Sequence, residues 1–382
     1  MQKYRIFAIN PGSTSTKIAM FENETQLFSS NISHKAEDLA VFTEMCEQLD
    51  YRYQIIENEL AEQGISLHGV SAFVGRGGGV QTVRGGTYRV NEIMLEHSRI
   101  GVSGQHPSNL GALLADLFAG RYGGDVFVVN GPTVDEFQEV ARITGLAGVY
   151  RSSIVHALNQ KEVGIRYAAK TGRRYEELNL IITHIGGGVS VTAHRQGRMI
   201  DSNDIINGDG PLAPTRAGAL PAVKLLRECF SGAYTEKQLY ARITKNGGLV
   251  EHLGTSDARE VNRRIEAGDQ YAKLIYDAMI YQIAKNIGAC AAILRGVVDG
   301  IIITGGIAHD RYVVDCLKEQ IGFLGKVAVM PGEFEMEALA AGALRVLCGQ
   351  EKPLCYTGEP VWTDFEELRY RSGYRASMEL VH

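Results

Sequence analysis

Short apolar runs that end at glycine-rich turns are the most regular pattern in the chain. Residues 4–9 and 17–21 predict two strands joined by a turn within NPGSTSTK. Further buried strands are predicted at 69–74, in DVFVVN and in VDGIIITGGIA. Apolar residues at helical spacing over 35–63 predict one long amphipathic helix that ends at Gly64. Strands therefore alternate with helices, which predicts an α/β fold whose mixed sheet is flanked by helices on both faces.

One strand–turn–strand pattern occurs twice. Around residue 180, NLIITHIGGGVSVTAHRQGRMI repeats the order of elements seen in YRIFAINPGSTSTKIAMF near the start of the chain. Such self-similarity indicates an internal duplication, and therefore two lobes with an interdomain cleft. We expect the first lobe to comprise residues 1–150 and 339–382, the latter supplying a C-terminal helix. The second lobe is expected to comprise residues 151–338.

Composition and charge narrow the class of protein. Hydrophobic residues make up 45% of the chain and charged residues 22%, as is typical of globular enzymes. With 39 basic against 44 acidic residues and no block of like charge, nucleic acid is not an expected partner. The apolar runs are broken well before about 18 residues, so no membrane span is expected, and no signal-peptide pattern is visible. Six cysteines without a C-x-x-C pair indicate reduced thiols in a cytoplasmic protein rather than a zinc site.

Glycine is enriched, with 44 of 382 residues, and its clusters follow predicted strands. Three such turns in a two-lobed protein suit the phosphate chain of a nucleotide in the cleft. The opening turn also carries hydroxyls and Lys17, which the geometry of a turn does not require. The chain lacks the G-x-x-x-x-G-K-[ST] phosphate loop and a G-x-G-x-x-G after the first strand. It also lacks the G-x-S-x-G turn of hydrolases.

Several segments together resemble the acetate and butyrate kinase family, within the sugar kinase, Hsc70 and actin superfamily. NPGSTSTK is similar to the N-[AP]-G-S-[ST]-S signature of acyl kinases, and FVGRGGG, SGQHPSNLGA, THIGGGVSV and ALAAGALR follow in the expected order. RSSIVHALNQK departs from the R-x-G-F-H-G-T-S-H pattern of acetate kinases. The butyrate or branched-chain fatty acid kinase subfamily is therefore the closer match.

This resemblance implies a fold, a reaction and partners. The fold would be two duplicated ribonuclease H-like (actin-like ATPase) domains. The reaction would be reversible phosphoryl transfer between ATP and butanoate, giving butanoyl phosphate and ADP, with Mg2+ as cofactor. The implied partners are a short-chain carboxylate, its acyl phosphate and further copies of the chain in a dimer or higher oligomer.

The resemblance also assigns the residues around the reacting groups. Arg216 would hold the transferring phosphoryl group, because a guanidinium fork contacts two oxygens at once. Arg76 is the candidate for binding the substrate carboxylate, and His156 and His184 would lie beside the transferring group and the phosphates. Further candidates for the substrate pocket are His106 and Val155, the latter replacing a phenylalanine of acetate kinases.

Nucleotide and metal ligands are implied in the same way. The outer phosphates would contact Ser13, Ser15, Lys17 and the backbone of Gly186, Gly187 and Gly188. The adenosine would lie against Gly305, Gly306, Asp257 and Arg259. Asn10 and Glu337 would face Mg2+, with Glu335 as a nearby competitor for the second position. Asn130 stands where acetate kinases have an aspartate, and Asp135 is a substitute only if the turn between them folds back.

Other functions remain open from the sequence. A kinase for a hydroxyl substrate would need a carboxylate base, and Asn10 and Asn130 remove the two best-placed candidates. An actin-like nucleotide switch shares the fold but gives no role to Arg216 or the two histidines. A DNA-binding regulator on this fold would need an added helix-turn-helix. Butyrate, isobutyrate, valerate, acetate and propionate all remain possible acids, and the direction of transfer is open.

Overall fold

The computed structural model describes residues 2–366 and residue 368, and within them the chain forms two β-sheets covered by helices. The strands are β1 Arg5–Pro11, β2 Ser15–Glu22, β3 Thr25–Ser33, β4 Ala72–Gly75, β5 Thr87–Arg89, β6 Asp125–Val129, β7 Asn179–Ile185, β8 Val189–Arg195, β9 Arg198–Ser202, β10 Gly300–Gly305, β11 Val327–Pro331 and β12 Leu354–Cys355.

The helices are α1 Ala36–Leu39, α2 Leu49–Glu62, α3 Glu92–Ile100, α4 Leu110–Tyr122, α5 Ala157–Lys170, α6 Ala222–Cys229, α7 Glu236–Thr244, α8 Leu249–Leu253, α9 Ala258–Glu266, α10 Gln270–Ile293, α11 Arg311–Ile321 and α12 Glu335–Leu347. Short 3-10 turns lie at Met45–Gln48, Pro107–Asn109, Glu139–Ala141, Tyr175–Glu177, Gly306–His309 and Gly322–Leu324.

The two sheets share the topology of five strands, and the first sheet carries two more. The first has the order β12-β5-β6-β4-β1-β2-β3, and the second has the order β11-β10-β7-β8-β9. In each sheet a three-strand antiparallel meander, β1–β2–β3 or β7–β8–β9, pairs in parallel with a later strand, β4 or β10. A further parallel strand, β6 or β11, follows outside it. The predicted mixed sheet and internal duplication are therefore confirmed.

The predicted single helix over 35–63 is wrong. The chain forms the short α1, turns through residues 40–44, and begins again with a 3-10 turn that leads into α2. A carboxylate oxygen of Glu47 accepts hydrogen bonds from the backbone N–H groups of Thr43 and Glu44, at 2.7 and 3.1 Å. The Glu47 side chain satisfies backbone N–H groups that are otherwise free at the start of a helix. It therefore stabilises a second helix start within the segment that the apolar spacing predicts as one helix.

Helix α12 packs on the first sheet although it follows the second in sequence. Its buried Met336, Ala338 and Leu339 contact Ile6 and Phe127 in one apolar cluster. The predicted lobe boundary between residues 338 and 339 therefore falls inside α12, and this helix packs on the first sheet. The short β12 also joins this sheet by pairing with β5. The remainder of the predicted C-terminal segment, residue 367 and residues 369–382, lies outside the described residues.

The second sheet is covered on both faces. On one face the long α10 buries Tyr276, Met279 and Ile283 against β7 and β8. On the other face α5 packs on β7 and β10 and also contacts α12, so it links the two halves of the molecule. Among the helices that the structure describes, none is both long and apolar enough to cross a bilayer.

Candidate active site

The turn between β1 and β2 is a tight hairpin at the edge of the cleft. Asn10 pairs with Lys17 across the two strands, and the Gly12 N–H donates to the Ser15 carbonyl oxygen at 2.7 Å. Ser13 is exposed and Ser15 half-buried. The hairpin predicted from NPGSTSTK is thus confirmed, and the contact of its hydroxyls and Lys17 with phosphates stays a prediction.

A buried arginine supports this hairpin from behind. Arg52 of α2 is fully buried and donates to Thr16 Oγ1 at 2.9 Å and to the Gln48 side chain. Thr16 Oγ1 also contacts His34 Nε2 at 2.8 Å. Burial and, second, the charge of Arg52 lower the pKa of His34 to about 4, so this imidazole is neutral. No sequence pattern indicated Arg52, because it lies within an otherwise apolar face of α2.

The first residue of α12 completes one wall of the cleft. Glu335 accepts hydrogen bonds from Asn10 Nδ2 at 2.7 Å and from Arg76 Nη1 at 2.5 Å. Lys17 Nζ lies 3.9 Å from the same carboxylate. Glu337 is the predicted metal ligand and Glu335 its competitor. The contacts with Asn10 and Arg76 are made by Glu335, and the metal-binding role of either residue stays a prediction. Two residues along a helix turn a side chain by about 200°, so Glu337 points away from these partners.

A crossing of two glycines sets the position of Arg76. The start of α4 passes directly over the end of β4, and a Cβ on Gly75 would lie 2.0 Å from the Gly111 carbonyl oxygen. The Arg76 N–H donates to the Ile9 carbonyl oxygen at 2.9 Å, which continues the pairing of β4 with β1. The side chain therefore leaves the sheet beside Asn10, where it meets Glu335.

Two imidazole rings stack in the middle of the cleft. His156, just before α5, and His184, on β7, have ring centroids 3.9 Å apart and planes inclined by 16°. Burial lowers the pKa of His184 to about 4, against the opposing charge of Glu335. Burial first, and then the neighbouring His184, Arg216 and Arg76, hold the pKa of His156 well below its usual range. Both rings are therefore neutral at neutral pH.

Asn159 fixes the orientation and the proton of His184. Its Nδ2 donates to the Glu333 carbonyl oxygen at 2.5 Å, so its Oδ1 faces His184 Nδ1 at 3.0 Å as an acceptor. His184 must then carry its proton on Nδ1, which leaves a lone pair on Nε2. Sequence reasoning missed Asn159, although its position three residues after His156, in the first turn of α5, was a signal that it shares the site.

Arg216 lies against the glycine turn between β7 and β8. A Cβ on Gly188 would come within 2.4 Å of its Nη1, so this turn needs glycine to admit the guanidinium. The Nε of Arg216 is buried and has no hydrogen-bond partner among the described residues. Burial lowers the pKa of Arg216 from its usual value. A buried guanidinium with an unused donor is suited to an anion that enters the cleft.

The cleft narrows into a pocket with a polar end and an apolar wall. Arg76, His156, His184 and Glu335 form the polar end. Val155, which is buried, lies in the wall. The other lining residues are Asn130, Pro132, Ala157, Leu158 and Asn159. The structure therefore brings together the predicted Arg76, Val155, His156 and His184.

Asn130 and Asp135 differ in their relation to this pocket. Asn130 adopts a left-handed backbone with φ of 40°, and its Oδ1 accepts from the Gly86 N–H at 2.7 Å. Asp135 instead forms a buried ion pair with Arg142, at 2.6 and 2.7 Å. Its second interaction is with the Phe137 N–H. The Asp135 carboxylate is therefore occupied by Arg142 and does not take the place of the aspartate that acetate kinases have at the position of Asn130.

The glycine turns of the second lobe are only partly free to bind phosphate. The Gly186 N–H donates to the Gly188 carbonyl oxygen at 3.0 Å, so it already has a partner within the turn, and its contact with phosphate stays a prediction. The Gly187 carbonyl accepts from the Thr215 N–H and hydroxyl. Gly305 has φ of 91°, and a Cβ there would lie 2.4 Å from the Ile185 carbonyl oxygen. Gly306, which follows, has open space beside it.

The remaining predicted residues are not among those that line this pocket. Asp257 caps α9 and forms an exposed ion pair with Arg259, at 2.8 Å. Arg259 faces solvent, and its contact with adenosine stays a prediction. His106 caps the 3-10 turn before α4. Partial desolvation and, second, the nearby charge of Arg76 lower the pKa of His106, but His106 does not line the pocket described above.

The chain matches a family profile over part of its length and curated relatives over most of it. A family profile described as the Acetokinase family matches residues 148–331. The chain is 48% identical over 353 residues to a probable butyrate kinase 2 of Caldanaerobacter subterraneus subsp. tengcongensis, covering 92% of this chain and 99% of the relative. It is 45% identical to butyrate kinase 2 of Clostridium acetobutylicum, covering 93% and 99%.

Solved structures show the same fold at low sequence identity. Acetate kinase of Porphyromonas gingivalis superposes with a TM-score of 0.72 at 18% identity, covering 90% of this chain and 100% of that chain. Acetate kinase of Entamoeba histolytica gives a TM-score of 0.70 at 16% identity, covering 88% and 98%. The predicted fold of two duplicated domains is therefore confirmed.

Proposed function

The chain belongs to the acetate and butyrate kinase family, and from this premise we propose that it is a short-chain fatty acid kinase acting on butanoate. It transfers the terminal phosphoryl group of ATP to the carboxylate, giving butanoyl phosphate and ADP, and the transfer is reversible. The curated relatives support this proposal, since both are named butyrate kinase 2.

The chemistry needs no general base. A carboxylate is already ionised at neutral pH, so one of its oxygens attacks the terminal phosphorus directly. The bond from that phosphorus to the bridging oxygen breaks, and its electron pair leaves with ADP. No proton has to move in this step. The difficulty is to bring two anions together and to stabilise charge on the equatorial phosphoryl oxygens.

The convergence of Arg76 with two neutral imidazoles on one apolar-walled pocket is the observation that carries the proposal. Arg76 uses Nη1 for Glu335, and the rest of its guanidinium can receive the substrate carboxylate. The imidazoles supply neutral donor and acceptor groups beside the reacting atoms. For Arg216, which lies beside Gly188, we propose the role of holding the transferring phosphoryl oxygens, and its unused buried Nε–H supports this role.

The apolar wall supports a substrate longer than acetate. Val155, Pro132 and Leu158 are apolar residues that line the same pocket as Arg76. An alkyl chain buried there gains about 0.8 kcal/mol for each methylene group. A valine in place of the phenylalanine expected in acetate kinases leaves room for the additional carbons, which favours butanoate or its branched isomer.

The residues present fit a Mg2+ ion that is held mainly by nucleotide phosphates. Glu335 is the carboxylate that contacts the Asn10 side chain. No cluster of three or more metal-binding side chains lies among the described residues. Mg2+ commonly binds through one or two carboxylates together with phosphates and water. Glu335 and Asn10 would hold it, and the ion would neutralise charge on the transferring group.

Nucleotide, assembly and location complete the proposal. We place ATP between the hairpin residues Ser13, Ser15 and Lys17 and the turns at Gly187–Gly188 and Gly305–Gly306. The resemblance to the family supports a homo-oligomer, a dimer or larger, in the cytoplasm. Neither nucleic acid nor a membrane is proposed as a partner.

The test is an acyl-hydroxamate assay with ATP, Mg2+ and a series of carboxylic acids of two to five carbons. We expect hydroxamate formation with a maximum at four carbons. Absence of product with every acid would refute the kinase proposal, and a maximum at acetate would refute the assignment of the substrate. A sugar panel in a coupled ADP assay serves as the control for a hydroxyl-directed kinase.

A further inference from the structure

A chain of buried hydrogen bonds runs from the cleft into the second lobe. It starts at His156 Nδ1, which lies 2.8 Å from Ser190 Oγ, and Ser190 Oγ lies 2.7 Å from Gln160 Nε2. Gln160 Oε1 lies 2.9 Å from His194 Nε2, and His194 Nδ1 lies 2.5 Å from the Tyr175 hydroxyl. The four residues beyond His156 are all buried and lie outside the pocket. We call them the histidine relay.

We propose that the histidine relay fixes His156 as the tautomer that carries its proton on Nε2, so that this N–H donates to the phosphoryl oxygens during transfer. Ser190, Gln160, His194 and Tyr175 are then positioning residues, which act on the reaction only through His156. The inference rests on the proposed function for its catalytic consequence, but the tautomer itself can be measured without any assay of activity.

The direction of the relay is set at Gln160. Its Nε2 lies 2.7 Å from Ser190 Oγ and also 3.4 Å from the Ser190 carbonyl oxygen. The reverse orientation of the amide would place Oε1 against that carbonyl, and two acceptors would then face each other. Gln160 therefore donates to Ser190 Oγ. The hydroxyl hydrogen of Ser190 is left to point at His156 Nδ1, which must accept it.

The far end of the relay agrees with this direction. Burial holds the pKa of Tyr175 well above its usual value and that of His194 well below, so the phenol keeps its proton and the imidazole is neutral. Gln160 Oε1 can only accept, so His194 must carry its proton on Nε2. His194 Nδ1 then accepts from Tyr175. Every donor in the relay faces one acceptor in this arrangement, and in no other.

The fold is shaped to hold the relay. Ser190 and His194 lie on the same face of β8, because side chains alternate along a strand. The ring of Tyr175 reaches His194 across α5 at Gly164, where a Cβ would lie 2.7 Å from Tyr175 Cε2. A glycine inside a helix is less favourable than alanine, so this one is explained by the space that the ring needs.

The relay gives the stacked rings opposite tautomers. Asn159 places the proton of His184 on Nδ1, whereas the relay places that of His156 on Nε2. Because Nδ1 of His156 faces Ser190, Nε2 is the ring nitrogen that remains to face the pocket that His156 lines. An N–H there attracts an anionic oxygen, and the other tautomer would present a lone pair that repels it. Such a preorganised donor stabilises charge that develops in the transition state.

The first measurement is the tautomer of His156 by long-range 1H–15N correlation spectroscopy on protein with 15N-labelled histidine. Spectra of His156→Gln and His184→Gln assign the two rings. We expect His156 to show a protonated Nε2 and an unprotonated Nδ1, with the reverse for His184. Protonation of His156 at Nδ1 in the unmodified protein would overturn the inference, whatever the activity of the protein.

The second measurement uses relay variants. Ser190→Ala removes the hydroxyl that donates to His156. Tyr175→Phe removes the hydroxyl that donates to His194, at the end of the relay away from the pocket. We expect both to give mixed His156 tautomers and to lower kcat about 10-fold to 100-fold with little change in the KM for the carboxylate. Ser190→Thr, which keeps the hydroxyl, should restore the tautomer and part of kcat.

The matched control is Thr192→Val. Thr192 is buried on the same face of β8 between Ser190 and His194, but its hydroxyl contacts Ser202 and not the relay. This variant should keep the His156 tautomer and kcat. If Ser190→Ala and Tyr175→Phe also leave both unchanged, the relay has no positioning role. If the unmodified protein has the expected tautomer but phosphorylates no carboxylate, the proposed function fails and the tautomer assignment stands.

Discussion

At the scale of single residues, neutral and positive groups surround the reacting position, and Glu335 is the carboxylate among the residues that line the pocket. His156 and His184 are kept neutral by burial, and Arg76 and Arg216 supply the charge. This distribution suits a reaction in which both reactants are anions, because an added carboxylate base would repel the nucleophile. Asn10 is consistent with this, since its side chain is a neutral amide at a position where a carboxylate would repel the anionic substrate.

Replacing Arg216 tests its role in holding the phosphoryl group. We expect Arg216→Ala to lower kcat by about 10³-fold or more, because loss of an arginine that stabilises the transferring group has effects of this size. Arg216→Lys should remain strongly impaired, since lysine lacks the fork that contacts two oxygens. Steady-state hydroxamate kinetics give kcat, and circular dichroism checks the fold. Full activity of either variant would remove Arg216 from the site.

Glu335 and Glu337 form a matched pair on one helix. Glu335→Gln removes the carboxylate that contacts Asn10 and Arg76, so kcat should fall about 10-fold to 100-fold. The rate should also require more Mg2+. Glu337→Gln changes a residue without these contacts, and its kcat should stay within about threefold. Mg2+ titrations of both variants make the comparison, and the opposite ranking would restore Glu337 as the functional residue.

Val155 tests the selection of chain length. A phenylalanine at this position would fill the pocket wall that two further methylene groups occupy, each contributing about 0.8 kcal/mol. Val155→Phe should therefore lower the ratio of kcat/KM for butanoate over acetate about 10-fold. Val155→Ala serves as the control and should keep the preference for longer acids. An unchanged ratio in Val155→Phe would mean that other residues set the selection.

At the scale of elements, glycines decide how closely helices approach the sheets. Gly342 of α12 faces β6, and a Cβ there would lie 2.5 Å from Val129 Cγ1. Gly288 of α10 has nothing within 4 Å of the same position. The two glycines are both inside helices, so they separate the effect of packing from that of helix propensity.

We expect opposite effects from the two alanine substitutions. Gly342→Ala should destabilise the protein by about 1–3 kcal/mol, because the added methyl group forces α12 away from the first sheet. Gly288→Ala should stabilise by about 0.5–1 kcal/mol, since alanine is the better helix former. Urea unfolding followed by circular dichroism measures both. Stabilisation by Gly342→Ala would show that α12 packs more loosely than described.

Elements with a simple period were predictable from the sequence. The hairpin at NPGSTSTK, the duplicated strands and the glycine turns follow from alternation and turn chemistry that lie within a few residues. The predicted helix over 35–63 failed because the capping contacts of Glu47 interrupt a pattern that apolar spacing alone continues. Local sequence patterns therefore predict which elements exist much better than they predict the residues at which those elements begin.

The site was predictable only where one motif carries one role. His156 and His184 each stand in a distinctive segment, and the fold brings them together. Glu335 and Glu337 share one acidic segment, and only the left-handed backbone at Phe334 and the start of α12 decide which faces Asn10. Asp135 forms its ion pair with Arg142, and the positions of these residues in the sequence do not indicate that their side chains meet. The relay likewise depends on contacts between three separate elements.

At the scale of the whole molecule, buried neutral histidines link stability to pH. The pKa values of His34 and His184 are lowered to about 4, and those of His156 and His194 lie well below their usual range. In the unfolded chain these imidazoles have pKa values near 6.5 and take up protons as the pH falls below that value. Their contribution to stability is complete above pH 6.5 and is lost progressively toward pH 4.

His34 isolates one such contribution away from the reacting groups. Between about pH 6 and pH 4.5 the unfolded state binds one more proton at this residue than the folded state, so the free energy of unfolding should fall by up to about 1.4 kcal/mol per pH unit on its account. His34→Gln removes this dependence, and its free energy of unfolding should fall less steeply than that of the unmodified protein. Urea unfolding at several pH values from 4.5 to 7 measures the two slopes. Because carboxylates and the other histidines titrate alike in both proteins, the difference in slope belongs to His34, and parallel curves would mean that the imidazole is protonated inside the fold.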